Sequence, residues 1–410
     1  MTQLQEGLIA DEGSRALNIS FLNWAHAIDH FVILIFPTVV IGLEAVYGRP
    51  YSELIALGTA SFVAFGVCSL PAGWLADRWS RRNMMAVFYI GCGVSLAAAS
   101  LAPNLIMLAA ALCALGAFAA IYHPVGMAML IDISQARGRT MAFNGVCGNV
   151  GAALAAGVTG ALASWIGWRS AFMVPAAICV ATGVAYLAMV PDDRHRTGKR
   201  KTVADVVMSG RMAAAVFGIY VVISISAGLV FNTVSIALPK IVDERLGANA
   251  PLFAIGGLAT AVFMCGALAQ LAMGRLVERI APHLLFAVVV AVQFAALIWA
   301  RAVTGPALIA ALAVLMAGIY AQVTVGDIVV ARYTADAWRG RIYAVRYFLT
   351  FVSAGGAVAI IAFLHGRGGF DLVLAAITAI AAVLLAAVLA FVVLVSGVER
   401  GRRRAVQPAE

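Results

Sequence analysis

The chain has 410 residues, of which 63% are hydrophobic and only 11% charged, with a formal net charge of +9. Apolar runs that recur from one end to the other exclude a soluble domain and a disordered chain, and they point to an all-α, multi-pass membrane protein. The positive charge suggests a nucleic-acid partner only until its placement is read. The basic residues cluster on one side of the apolar runs, as the positive-inside rule requires, and need no nucleic acid.

In chain order, the N-terminal stretch MTQLQEGLIADEGSRA is polar, has no basic n-region and shows no small-residue cleavage site, so no signal peptide is expected. At about 20 apolar residues per crossing, twelve helices, α1 to α12, are predicted. They lie at roughly 17–43, 53–75, 84–102, 105–130, 140–164, 168–190, 213–240, 252–276, 283–300, 305–330, 341–364 and 371–396. Arginine-rich segments fall between α2 and α3, between α4 and α5, between α6 and α7, and after α12. Only isolated cations (Arg49, Arg169, Lys240, Arg245, Arg301, Arg367) fall on the other side. Both termini are therefore expected in the cytoplasm. The six cysteines (Cys68, Cys92, Cys113, Cys147, Cys179, Cys265) sit in apolar helices without a CxxC pair and read as small core residues.

An internal repeat runs through this order. Gly73-Trp-Leu-Ala-Asp77-Arg78 after α2 is echoed by Gly274-Arg-Leu-Val-Glu278-Arg279 after α8. Ala136-Arg-Gly-Arg139 before α5 is echoed by Trp338-Arg-Gly-Arg341 before α11, and Pro37 in α1 by Pro239 in α7. One near-constant offset indicates a duplicated six-helix unit: residues 1–190, a basic cytoplasmic linker at 191–212, and residues 213–410 with a basic tail. Two parallel repeats are the architecture of a rocking transporter that binds its substrate between the halves. Gly145, Gly148, Gly151, Gly157 and Gly160 along α5, with a Ser-Ala-Gly-Gly run at 353–356 in α11, suit close helix packing or sliding.

The α2–α3 loop, Gly-Trp-Leu-Ala-Asp-Arg-Trp-Ser-Arg-Arg at 73–82, resembles the signature of the major facilitator superfamily, with Ser80 where that signature usually has a second glycine. The resemblance implies two pseudo-symmetric six-helix bundles around a cavity lined by α1, α4, α7 and α10. It implies a gate in which Asp77 pairs across to the opposite half, with Arg78, Arg81, Arg82, Asp132, Arg332, Arg339 and Arg341 holding the cytoplasmic face. Within the superfamily, His-Ala-Ile-Asp-His (26–30), Tyr122-His123-Pro124 and Gly148-Asn149-x-Gly151 together resemble the fosmidomycin-resistance proteins, which are bacterial drug exporters.

His26, Asp29 and His30 stand at i, i+3 and i+4 and share one face of α1. Ionisable groups at membrane depth are costly and normally face a cavity or a partner. Asp29 is the candidate proton carrier with His26 and His30 as relays, or the three form a hydrogen-bonded structural knot. His123, Asn232, Gln322 and Asp327 are candidate substrate contacts by their place on the cavity helices the resemblance implies. Asn144 and Arg346, counterparts in the repeat, join them. Arg346 could hold an anion such as a phosphonate or pair with Asp327. Pro124, like Pro37 and Pro239, is positioned to kink its helix.

These residues predict a proton-coupled secondary transporter, most simply an exporter of small drug-like or anionic compounds, and alternatively an importer of an organic anion. A metal transporter using the same histidines is a weaker alternative, and no metal ligand set is assigned. No nucleophile–base pair, HExxH or phosphate loop marks an enzyme, and no cofactor is expected. The expected partners are a small molecule, protons and the lipid bilayer of a bacterial cytoplasmic (inner) membrane, with the protein monomeric.

Overall fold

The structure is a computed structural model that describes residues 3–134, 137–191, 210–246, 250–333 and 336–406. The side chains at 3–11, 137–138, 210–214, 331, 333, 336–344, 347 and 398–406 lie outside the description. The core of the expected linker (192–209) and the side chains of Arg339 and Arg341 therefore fall outside it.

Among the described residues the chain is helical throughout, the form in which a segment in lipid satisfies its own backbone groups. Ten helices are long and apolar enough to cross a membrane once: α1 Glu12–Tyr47, α2 Tyr51–Arg78, α3 Arg81–Leu101, α4 Leu105–Ile133, α5 Arg139–Trp165, α6 Ser170–Met189, α7 Ala215–Arg245, α8 Leu252–Leu276, α9 Pro282–Ala302 and α10 Gly305–Val330. An eleventh apolar stretch, Phe348–Gly397, lies in a helical run that is broken at Gly368 and Gly369, the latter at φ 57. The break divides the run into α11 (336–367) and α12 (370–406), which gives the twelve crossings expected from the sequence. Large apolar side chains such as Leu70, Ile106 and Val393 remain exposed on the outside, where a bilayer would cover them.

Proline positions the bends. The Pro37 ring cannot coexist with an unperturbed carbonyl four residues earlier, at Ile33, and α1 breaks one residue beyond it. Leu34 takes ψ 3, and its N–H bonds to Phe31 O at 3.2 Å. In α4, Pro124 lies within a π-turn at Tyr122–Gly126, an inserted residue that turns His123 toward α1. Ser80, the departure from the loop signature, caps α3: its hydroxyl accepts the Asn83 N–H at 3.2 Å.

The two halves meet along α5–α8 and α2–α11, while α1 crosses α5 within the first half. The α1–α5 crossing is close because α5 presents glycine. A Cβ at Gly151 would lie 2.0 Å from Ala27 O, and one at Gly148 would lie 2.6 Å from His26 Nε2. Gly151→Val is therefore expected to lower the thermal unfolding midpoint of the detergent-solubilised protein, at an overpacking cost of about 1–3 kcal/mol. Gly257→Ala, where nothing lies within 4 Å, should leave it unchanged. Equal midpoints for the two variants would refute this account of the crossing.

Candidate functional site

The cluster at the middle of the first half grows from α1, α4 and α5. Asp29 is completely buried, His26 nearly so, and His30 is half-buried. The π-turn in α4 brings His123 Nε2 to 3.3 Å from Asp29 Oδ2, but without the alignment of a hydrogen bond. Both Asp29 oxygens and His123 Nε2 are left without a bonded partner. The three imidazoles pack on one another, with ring centroids 5.0 Å apart for His26–His30 and 5.5 Å for each of these with His123, and His123 is the one that reaches the Asp29 carboxyl group. The α1 trio and His123 are thus assembled in one place, although 93 positions separate His30 from His123 in the chain.

His26 is held in one orientation. Its Nδ1 donates to the Asn144 carbonyl oxygen at 2.8 Å, which leaves Nε2 with its lone pair. Its ring stacks on Tyr122 at 4.9 Å. Asn144 is itself a hub: its Oδ1 accepts from Tyr122 Oη at 3.0 Å, and its Nδ2 donates to Leu22 O at 3.3 Å and Asn23 Oδ1 at 3.0 Å. The Asn144 side chain is fully buried and spent on positioning α1 against α4 and α5.

A cavity between the halves adjoins the cluster. His30, Phe65, Phe231, Asn232, Tyr320 and Phe351 are among its lining residues. The wall is mainly apolar and aromatic, with few polar groups, the usual make-up of a small-molecule pocket. Asn232 Nδ2 donates to Gly228 O and Thr350 O at 2.8 and 3.0 Å, which fixes its amide at the α7–α11 contact. His123 reaches the second half through Phe351, with ring centroids 4.7 Å apart. Gln322 faces α9 instead, its Oε1 accepting from Gln293 Nε2 at 2.7 Å. Arg346 forms an ion pair with Asp327 and donates to Val323 O at 3.3 Å, so these two charges answer each other inside the second half.

The expected gate residues divide in the same way. Arg81 binds Asp77 at 2.8 Å and Asp132 at 2.7 Å, all within the first half. Arg82 donates to Val190 O at 2.9 Å, and Arg78 lies over the Trp74 ring at 4.0 Å. Arg332 is exposed at the same end. Asp77 thus pairs with Arg81 at the start of the next helix, within its own half, rather than with the opposite half.

At the opposite end of the bundle lies a cluster that the sequence reading missed. Lys240, expected as the last residue of α7 at its outer end, lies well inside that helix and is buried. Its Nζ pairs with Glu44 on α1, with Asp243 at 2.8 Å and with Glu244 at 3.6 Å. His365 on α11 holds Glu244 at 2.8 Å. The Lys240–Glu44 pair ties one half to the other. No repeat correspondence signals the pair: Glu44 lies seven residues past Pro37, whereas Lys240 lies one past Pro239.

Comparison with known proteins follows this geometry. The profile of the Major Facilitator Superfamily matches residues 19–254, more than half of the chain. Two solved structures of a bacterial homolog of the human lysosomal transporter Spinster, inward-facing and either unoccupied or occupied, share the fold. In each case the TM-score is 0.70 at 14% identity, over 93% of this chain and 94% of the other. No curated protein sequence matches the chain. With a duplicated six-helix architecture, a cavity between the halves and ion pairs at either end, the chain belongs to the Major Facilitator Superfamily and is a secondary transporter working by alternating access.

Proposed function

We propose that this transporter is proton-coupled and exports small drug-like or anionic organic compounds across a bacterial inner membrane, with both termini cytoplasmic. The observation that carries the reading is Asp29, a wholly buried carboxyl group with neither oxygen hydrogen-bonded, beside His123 and next to the cavity. A carboxyl group so placed takes up a proton in one access state and gives it up in the other, with His26, His30 and His123 as the groups nearest to receive it. The aromatic cavity wall suits an amphiphilic substrate, with Asn232 and His30 supplying polar contacts. The bundles 1–190 and 213–410 rock about this cavity, joined by the basic linker. The Asp77–Arg81–Asp132 set, with Arg78, Arg82, Arg332, Arg339 and Arg341, forms the cytoplasmic gate, and a monomer suffices because the cavity lies within one chain.

The test is growth of an efflux-deficient bacterium expressing the full chain or an empty vector, with inhibitory concentrations measured for fosmidomycin and a panel of anionic and amphiphilic antibiotics. Tolerance raised about tenfold for at least one compound is expected. Unchanged tolerance across the panel, with the protein present in the membrane, refutes export of such compounds.

A further inference from the structure

We propose that His26, His30, His123 and Asp29 form a binding site for a divalent transition-metal cation of the Zn²⁺ or Co²⁺ type. One nitrogen from each of the three histidines can be chosen so that all lie within 4.8 Å of one another. Asp29 lies outside that group of nitrogens, but its Oδ2 is 3.3 Å from His123 Nε2 and both its oxygens are buried and unbonded, so it is the fourth donor once His26 and His30 turn toward it. A tetrahedral centre with bonds of about 2.0–2.1 Å places neighbouring donor atoms about 3.3 Å apart. His123 Nε2 and Asp29 Oδ2 stand at that separation, 3.3 Å, with no hydrogen bond between them. Binding requires the His26 and His30 rings to turn so that their nitrogens close from within 4.8 Å to the same separation.

Two further features distinguish this from a chance grouping of histidines. The Asn144 carbonyl receives the His26 Nδ1 proton at 2.8 Å, so Nε2 is the available donor atom. This is the outer support that metal-binding histidines normally have. That support is rigid, since the Asn144 side chain is anchored by Tyr122, Leu22 and Asn23. The charge also suits a dication: neutral imidazoles and one carboxylate leave a single net positive charge around a bound M²⁺, which would supply the buried Asp29 oxygens with the partner they lack. Three nitrogens and one oxygen select a borderline transition cation over Mg²⁺ or Ca²⁺, which require a shell of oxygens.

The site overlaps the proposed proton path without depending on it, because the cation and the proton would be alternative occupants of one carboxylate. The full chain, purified in detergent and stripped of metal, is titrated with Co²⁺ alone and followed by visible absorption. An intense four-coordinate Co²⁺ band saturating at one ion per chain, and bleached by Zn²⁺, is expected. His30→Asn and His123→Asn should each weaken binding at least roughly tenfold. His283→Asn, buried on α9, should not. No four-coordinate band with wild type, wild-type affinity in both His30→Asn and His123→Asn, or equal loss in His283→Asn would overturn the proposal. X-ray absorption of Zn²⁺-loaded wild type needs no variant, and absence of imidazole scattering would overturn it too. Transport assays report separately on the proton reading: an inert Asp29→Asn substitution there would remove proton coupling and leave the Co²⁺ result standing.

Discussion

Asp29→Asn is expected to abolish proton-driven transport while leaving the fold intact. Asparagine keeps the size of the side chain and places an amide where the carboxyl group had no bonded partner, so packing of α1 against α4 and α5 is conserved. What is lost is the one group at the cluster that is an anion without its proton and neutral with it. Removing a positioned proton-transfer group typically costs about a hundredfold or more in rate. The measurement is substrate flux in proteoliposomes driven by an imposed pH gradient, alongside exchange without a gradient. Gradient-driven flux should fall by that factor, whereas exchange, which needs only substrate reorientation, should persist. Equal gradient-driven flux in wild type and variant would remove Asp29 from the coupling path.

The second large effect is expected at the other end of the bundle. Lys240 holds Glu44 on α1 against Asp243 and Glu244 on α7. Lys240→Met leaves three carboxylates facing one another and deletes the tie between the halves. The carboxylates are a quarter to a third exposed, so solvent screens part of the repulsion. A bias of about 2 kcal/mol toward separation of this end is therefore expected. That shifts the equilibrium between the two access states by roughly thirtyfold. Spin labels at Glu53 and Arg301, both exposed and placed in opposite halves near this end, would read it as a longer distance. Glu44→Gln should shift the distribution less, because Lys240 keeps Asp243 and Glu244. An unchanged distance distribution in Lys240→Met would mean that the pair holds nothing closed.

The fold was legible because hydropathy, charge placement and an internal repeat are each encoded locally. Apolar runs state their own length, and the offset that relates Gly73 to Gly274 and Pro37 to Pro239 states the duplication. The α1 trio was legible because i, i+3, i+4 spacing is a property of one helix. His123 could be placed on a cavity helix before a proline, but its approach to Asp29 could not be read. The π-turn that swings it onto Asp29 depends on how α4 accommodates Pro124 within the packed bundle. Asn144 was misread in kind: as the repeat counterpart of Arg346 it resembled a cavity residue, whereas its amide is spent on Tyr122, Leu22 and Asn23. Polarity is visible in a sequence, but the partner that consumes it is a product of tertiary contact. Lys240 was missed for a related reason. A cation near a helix end reads as a loop charge until the half-buried carboxylate opposite it is known.

The break in α1 at Leu34 gives that helix a mechanical character. Asp29 lies before the break and Glu44 after it, fifteen residues apart, or about 22 Å along an unbroken helix. A straight rod would transmit every displacement at one end to the other, so occupation of the carboxylate and release of the distal tie would be a single rigid event. With an elbow between them, the first arm can shift with its occupant while the second stays clamped to α7. The two loads on α1 then yield in sequence, so the helix can keep its far end shut while its near end trades one passenger for another.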